Sequence, residues 1–210
     1  MNNSLTDLTV KGLLDVTAGK DPVPGGGSIS ALSGSIAAAL TEMVAGLTIG
    51  KKKYADVEDE MREIVSRVSE IQKELLEAVD KDSDAFNVVF AAFKWPKETE
   101  EEKKARSAEI QRGTKIAADV PMRVAEKAAE LMPLIEKVIM KGNQNSITDA
   151  CCAMMACRYA VIGALLNVRI NLGSIKDETF VKEHADRAAE LERKVNESEQ
   201  KILAHVYQNL

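Results

Sequence analysis

Histidine is nearly missing from this sequence: of 210 residues only His184 and His205 are histidines. Both fall on one amphipathic C-terminal segment, with no serine or cysteine at a telling spacing, which argues against a histidine-based triad and a histidine-rich metal site. Cysteine is as scarce. Cys151, Cys152 and Cys157 crowd into one apolar stretch, without the spread of a disulfide framework or CxxC metal spacing. They read as small buried hydrophobes in a reducing, cytoplasmic setting. Aromatic residues make up only 4%, a poor supply for a sheet. Positive charge is not in excess: the net charge is −5, which argues against a broad basic face for nucleic acid. The start lacks a secretory n-region and h-region, and the interior lacks a Gly/Ser or Pro-rich linker.

What is present favours helices. Hydrophobic residues reach 45%, and Ala, Leu, Glu and Lys dominate. The expected architecture is all-α, a single-domain antiparallel bundle of long helices over residues 1–210. Ser4 is placed to cap a first helix ending near Gly19. Residues 21–27, with two prolines and three glycines, must be a loop. Ser28 then caps an apolar helix reaching about Gly50. In residues 29–49 the only charge is Glu42. That length could span a bilayer, but its Ala, Gly, Ser and Thr content and central carboxylate fit a helix buried in a bundle, with no membrane. Asp56 caps a third helix with a stripe through Met61, Ile64, Val68, Ile71, Leu75, Val79, Phe86, Val89 or Phe90, and Phe93, ended by Trp95-Pro96. Thr99 caps a fourth, which Pro121 should kink or divide. An apolar fifth helix covers about 147–172, and Asp177 caps a last one.

Four features stand out. Asp82 sits three residues after Val79 and four before Phe86, so a carboxylate points where a core residue should point. It must be paired, hydrogen-bonded or functional. Asp80 and Asp84 fall off the stripe and read as solvated. The turn Gly25-Gly26-Gly27-Ser28 offers free N–H groups at a helix start and close backbone access to an anionic or carbonyl oxygen; otherwise it is a tight turn. Lys51, Lys52 and Lys53 beside Tyr54 suit a carboxylate-bearing ligand that also stacks, or a solvated helix end. Asn143, Asn145 and Asp149 lie in a polar segment whose amides can read heterocycle edges or simply cap a helix.

Taken in order, PVPGGGS at 22–28, LTIGKKKY at 47–54, VDKDSDAF at 79–86, WPKETEEEKKAR at 95–106, DVP at 119–121, GNQNSITDA at 142–150 and NVRINL at 167–172 resemble the cyclodeaminase/cyclohydrolase family of folate enzymes. Thr148 stands where Ser is usual before Asp149, and Trp95 where Leu is usual before Pro96. The resemblance implies an all-helical homodimer acting on a tetrahydrofolate derivative, with no cofactor or metal beyond that substrate. It implies Asp82 as the catalytic carboxylate. Lys51, the glycine turn and the segment 143–149 would help build the folate site, Lys51 tuning Asp82 or holding the glutamate tail.

The expected reaction is the methenyltetrahydrofolate cyclohydrolase one: opening the N5–C–N10 amidinium bridge of 5,10-methenyltetrahydrofolate to 10-formyltetrahydrofolate. The length leaves no room for a transferase, which favours it. Formiminotetrahydrofolate cyclodeamination, which closes that bridge with loss of ammonia, is the alternative. A non-catalytic folate-binding or scaffold protein is the second alternative; a scaffold would gain by placing Leu at position 82.

Overall fold

The computed structural model describes residues 4–209. Seven α-helices follow one another: α1 (Val10–Thr17), α2 (Gly26–Gly46), α3 (Glu58–Ala92), α4 (Glu100–Ala129), α5 (Leu131–Lys141), α6 (Ile147–Leu172) and α7 (Glu178–Asn209). Short 3₁₀ turns intervene, and no strand occurs among the described residues. The all-α expectation is met, by six long helices and one short one.

Helices α2, α3, α4 and α6 make a square in which each packs on the next, α6 returning to α2. All four neighbouring pairs are antiparallel. Gly27 meets Asp82 and Gly34 meets Leu75, Gly113 meets Val89, Cys157 reaches the Ala128 carbonyl, and Gly163 meets Ser30. Helix α7 lies along α6, and α5 packs chiefly on α6, with lesser contact to α2 and α7. Met61, Ile64, Val68, Ile71, Leu75 and Val79 of α3 are all buried, each such side chain worth about 1.5–3 kcal/mol out of water. Small residues let α2 come close. A Cβ on Gly34 would stand 2.9 Å from Leu75 Cδ1. Three buried hydroxyls of α2 are satisfied within the helix: Ser30, Ser35 and Thr41 each donate to the carbonyl four residues back.

Both α2 and α6 carry a second apolar stripe on their outer side. Ile36 and Met43 on α2, Leu47 just past its end, and Met155, Tyr159, Leu166 and Ile170 on α6, are exposed. By length and composition these two helices could cross a membrane; in the bundle their inner halves are core.

Several boundaries differ from the sequence reading. Ser4 caps only the turn Leu5–Asp7, and Thr9 caps α1. Helix α2 starts at Gly26, so Ser28 lies inside the helix and Gly25 is its N-cap. It stops at Gly46 rather than near Gly50. Asp56 lies within the turn Lys52–Val57, and α3 begins at Glu58. Thr99 does cap α4, in a reciprocal capping box with Glu102. Asp177 does cap the last helix, accepting from the Phe180 N–H at 3.1 Å. Phe86, Phe90 and Phe93 are exposed rather than core, because α3 continues past the start of α2. Asp80 is not simply solvated: it accepts from Ser4 Oγ at 2.5 Å and the Leu5 N–H at 2.7 Å. Cys151 and Cys157 are buried, but Cys152 is exposed.

Pro121 does not divide α4, for a chemical reason. Pro121 cannot donate to the Ala117 carbonyl, yet α4 runs unbroken through it. Asn171 supplies the missing donor: its Nδ2 reaches Ala117 O at 3.0 Å and Asn167 O at 2.8 Å. The break falls instead at Glu130, before α5, where Pro133 cannot donate to the Ala129 carbonyl. Asn171→Leu should therefore cost about 1–3 kcal/mol in urea unfolding by stranding a carbonyl. The cost should shrink in a Pro121→Ala background, where the backbone N–H is restored; equal costs in both backgrounds would remove this role from Asn171.

Candidate active site

The first turn of α2 and the middle of α3 meet at Asp82. Asp82 sits on the stripe of Leu75 and Val79, in register with Gly27. A Cβ on Gly27 would stand 2.0 Å from Asp82 Oδ1, so only a hydrogen fits at position 27. The carboxylate is thereby pressed against the start of α2, where the Gly26 and Gly27 N–H groups have no intrahelical acceptor. Ser28 Oγ donates to Asp82 Oδ2 at 3.2 Å and is also 3.2 Å from Ser83 Oγ. Burial pushes the Asp82 carboxyl above the usual aspartate range, and the Ser28 hydroxyl and N–H draw it partway back. A half-buried carboxyl with raised pKa, held by a serine and facing free N–H groups, suits proton transfer at a bound oxygen.

The sequence reading did not foresee Ser83 or Asn167 here. A Cβ on Gly26 would lie 3.2 Å from Asn167 Nδ2, and that Nδ2 donates to Gly163 O at 2.8 Å. The available signal was an amide within a nearly all-apolar helix.

The remaining expected site residues gather at the other end of α2. Lys51 and Lys52 are exposed on the turn after it. Lys53 Nζ lies 5.2 Å from the centre of the Tyr54 ring. The Gln144 N–H donates to Tyr54 Oη at 3.1 Å, which, with Lys53 and Lys51 nearby, holds the Tyr54 phenol below its usual range. Asn143 is buried, and its amide joins the loop to α2. Its N–H donates to Thr48 Oγ1 at 2.9 Å, its Nδ2 to Leu47 O at 3.4 Å, and its Oδ1 accepts from the Asn145 N–H at 3.3 Å. Asn145 is exposed and Asp149 half-buried in the first turn of α6. One chain thus brings Gly25, Gly26, Gly27, Ser28 and Asp82 together, and separately Lys51, Lys52, Tyr54, Asn143, Asn145 and Asp149. At 1.5 Å per residue, the length of α2 parts the two groups by about 30 Å.

Comparison with known proteins places the chain in a family. Residues 9–190 match the family described as Formiminotransferase-cyclodeaminase. Methenyltetrahydrofolate cyclohydrolase of Methylorubrum extorquens is 40% identical over 184 residues, covering 88% of this chain and 87% of that protein. Formimidoyltransferase-cyclodeaminase of Mus musculus is 31% identical over 90% of this chain, which spans only 35% of that protein. The crystal structure of formiminotetrahydrofolate cyclodeaminase from Thermotoga maritima superposes with a TM-score of 0.86 at 35% identity, over 95% of this chain and 96% of that one.

The contact at Gly27 carries its own test. Gly27→Ala must displace the Asp82 carboxylate or part the helices, so a stability loss of about 1–3 kcal/mol is expected by thermal melting, with loss of turnover. A variant that melts and turns over like wild type would mean that the contact has slack.

Proposed function

The chain belongs to the formiminotransferase-cyclodeaminase family and is a homologue of methenyltetrahydrofolate cyclohydrolase, and from that premise we propose that it hydrolyses 5,10-methenyltetrahydrofolate to 10-formyltetrahydrofolate. The observation that carries the reading is the Asp82 carboxylate, pressed on the glycine turn with its pKa raised. The substrate bears a positive charge delocalised over N5, the bridging carbon and N10. Asp82 favours that charge and takes a proton from the water that attacks the bridging carbon. The new C–O bond places its oxygen toward the Gly26 and Gly27 N–H groups. Asp82 then returns the proton to N5 and, ionised again, takes the proton of the new C–OH as the N5–C bond breaks and the C=O forms; the formyl group is left on N10 and one proton is released to water. The free thiols of Cys151, Cys152 and Cys157 accord with the cytoplasmic setting proposed for it. Cyclodeamination, the activity that names the superposed relative, uses the same carboxyl as an acid toward departing ammonia and is the second reading.

The working unit in this reading is a homodimer with its site across two chains. The outer apolar stripes of α2 and α6 are the surface to bury. A two-fold axis across α2 sets it antiparallel to its copy. That brings the Asp82 end of one chain to the partner's lysine-and-asparagine end. The glycine turn then binds the reacting bridge, and Lys51, Lys52, Tyr54, Asn145 and Asp149 of the other chain hold the rest of the folate. Within one chain the two groups lie farther apart than a folate with a single glutamate spans.

Loss of the methenyl chromophore in the presence of purified protein, above a buffer blank, is the expected result. Growth of that chromophore from 5-formiminotetrahydrofolate with ammonia release, and no loss, would replace hydrolysis by cyclodeamination. Asp82→Asn should lower turnover by about 10²-fold or more. The sign of its stability effect follows from the raised pKa. The stabilising contribution of a carboxyl shifted this way is present below its unfolded pKa and lost as pH rises through the folded one. At neutral pH Asp82→Asn should therefore melt at or above wild type, with the gap closing under acid; a variant that melts well below wild type at pH 7 would contradict the assignment.

A further inference from the structure

The stripe that carries Asp82 changes character along α3. Leu75 and Val79 are each 1% exposed, whereas Phe86 is 37%, Phe90 48% and Phe93 54% exposed. The change has a geometric cause. Helix α2 begins at Gly26, beside Asp82, and α3 continues to Ala92, so about 15 Å of α3 overhangs the start of α2. Its α2-facing side is uncovered there. Phe86 is four residues beyond Asp82, and the two side chains are neighbours on one helix face. The Phe86 and Phe90 rings lie within 19° of parallel with centroids 6.0 Å apart. They stack as an apolar wall on the face of α3 that carries Asp82, with Lys94 Nζ 4.3 Å over the Phe90 ring.

An aromatic face is more than apolar area: its quadrupole attracts a desolvated cation. A carboxylate and a ring face side by side match a planar, delocalised cation better than either does alone. Resting on the reading of the substrate as a methenyl folate, we propose that Phe86 binds the amidinium bridge through its ring face, so that the site selects the cationic substrate over folates whose bridge is uncharged. Phe90 backs the Phe86 ring, with Lys94 over its own face. Asp82 supplies the proton chemistry, and Phe86 supplies charge selectivity without taking part in it.

The test compares wild type with Phe86→Leu, which keeps apolar bulk but removes the ring, and with Phe86→Tyr, which keeps it. Two quantities are read: KM for 5,10-methenyltetrahydrofolate, and the inhibition constant of tetrahydrofolate, whose N5 and N10 carry no bridge. Phe86→Leu should raise KM about tenfold, with kcat and the inhibition constant little changed, and Phe86→Tyr should restore KM. An equal rise in both constants would reduce Phe86 to packing area and overturn the proposal. So would an unchanged KM, including one accompanied by a shift in sedimentation mass, which would mean that the wall is covered by a second copy. If wild type failed to turn over the methenyl compound, the functional reading would fall instead. Equilibrium dialysis of both folates against the same variants would then still decide the question of charge selectivity.

Discussion

Two helices cross at a point where one of them can carry only a hydrogen atom. Gly27 leaves no room for a methyl group beside the Asp82 carboxylate, and much of the chain's design can be traced from that approach. It fixes the register of α2 on α3. It holds a carboxyl where the stripe below it is fully buried, and it sets that carboxyl against the unsatisfied N–H groups of a helix start. An ordinary bundle would place leucine there and gain stability. Here the chain keeps a group whose ionised form burial disfavours, with one serine to steady it. A raised aspartate pKa is a liability for folding and an asset for moving a proton near neutrality.

Close approach elsewhere serves the same end. Gly34 and the small residues facing it on α6 let α2 lie between α3 and α6 with little intervening volume, so the glycine turn is held by long rigid helices rather than by a loop. Pro121 shows the same economy. The carbonyl it frees is taken by Asn171, one turn beyond the asparagine that flanks Gly26. Asn171 thus ties α6 to α4, while Asn167 bonds within α6 and packs beside Gly26 at the site end of α2.

Much of this was legible in the sequence. Period-3.6 patterning located the helices, and the misplaced carboxylate at position 82 stood out because its neighbours at 75 and 79 are plain core residues. What was not legible depended on where elements end relative to one another. Nothing local distinguishes Phe86 from Val79; only the start of α2 decides that one is covered and the other is not. Whether Pro121 divides a helix depended on an amide fifty residues away in sequence. Ser28 looked like a cap because glycines ordinarily break helices, but Gly26 and Gly27 are tolerated in a first turn whose packing demands them. The resemblance implied that the lysine and asparagine segments share a folate site with Asp82. A single chain places them at the far end of α2 because antiparallel helices bring sequence neighbours, not motif partners, together.

The separation of those two residue groups makes the account's central claim testable by mixing subunits. In the homodimer proposed above, Asp82→Asn and Lys51→Glu are each expected to impair turnover when paired with themselves. After subunit exchange, a mixed dimer has one site with both defects and one with neither. If the site is completed across two chains, turnover of 5,10-methenyltetrahydrofolate returns in the mixture. If Asp82 and Lys51 act within one chain, the exchanged mixture remains as impaired as its parents, and the composite site is wrong.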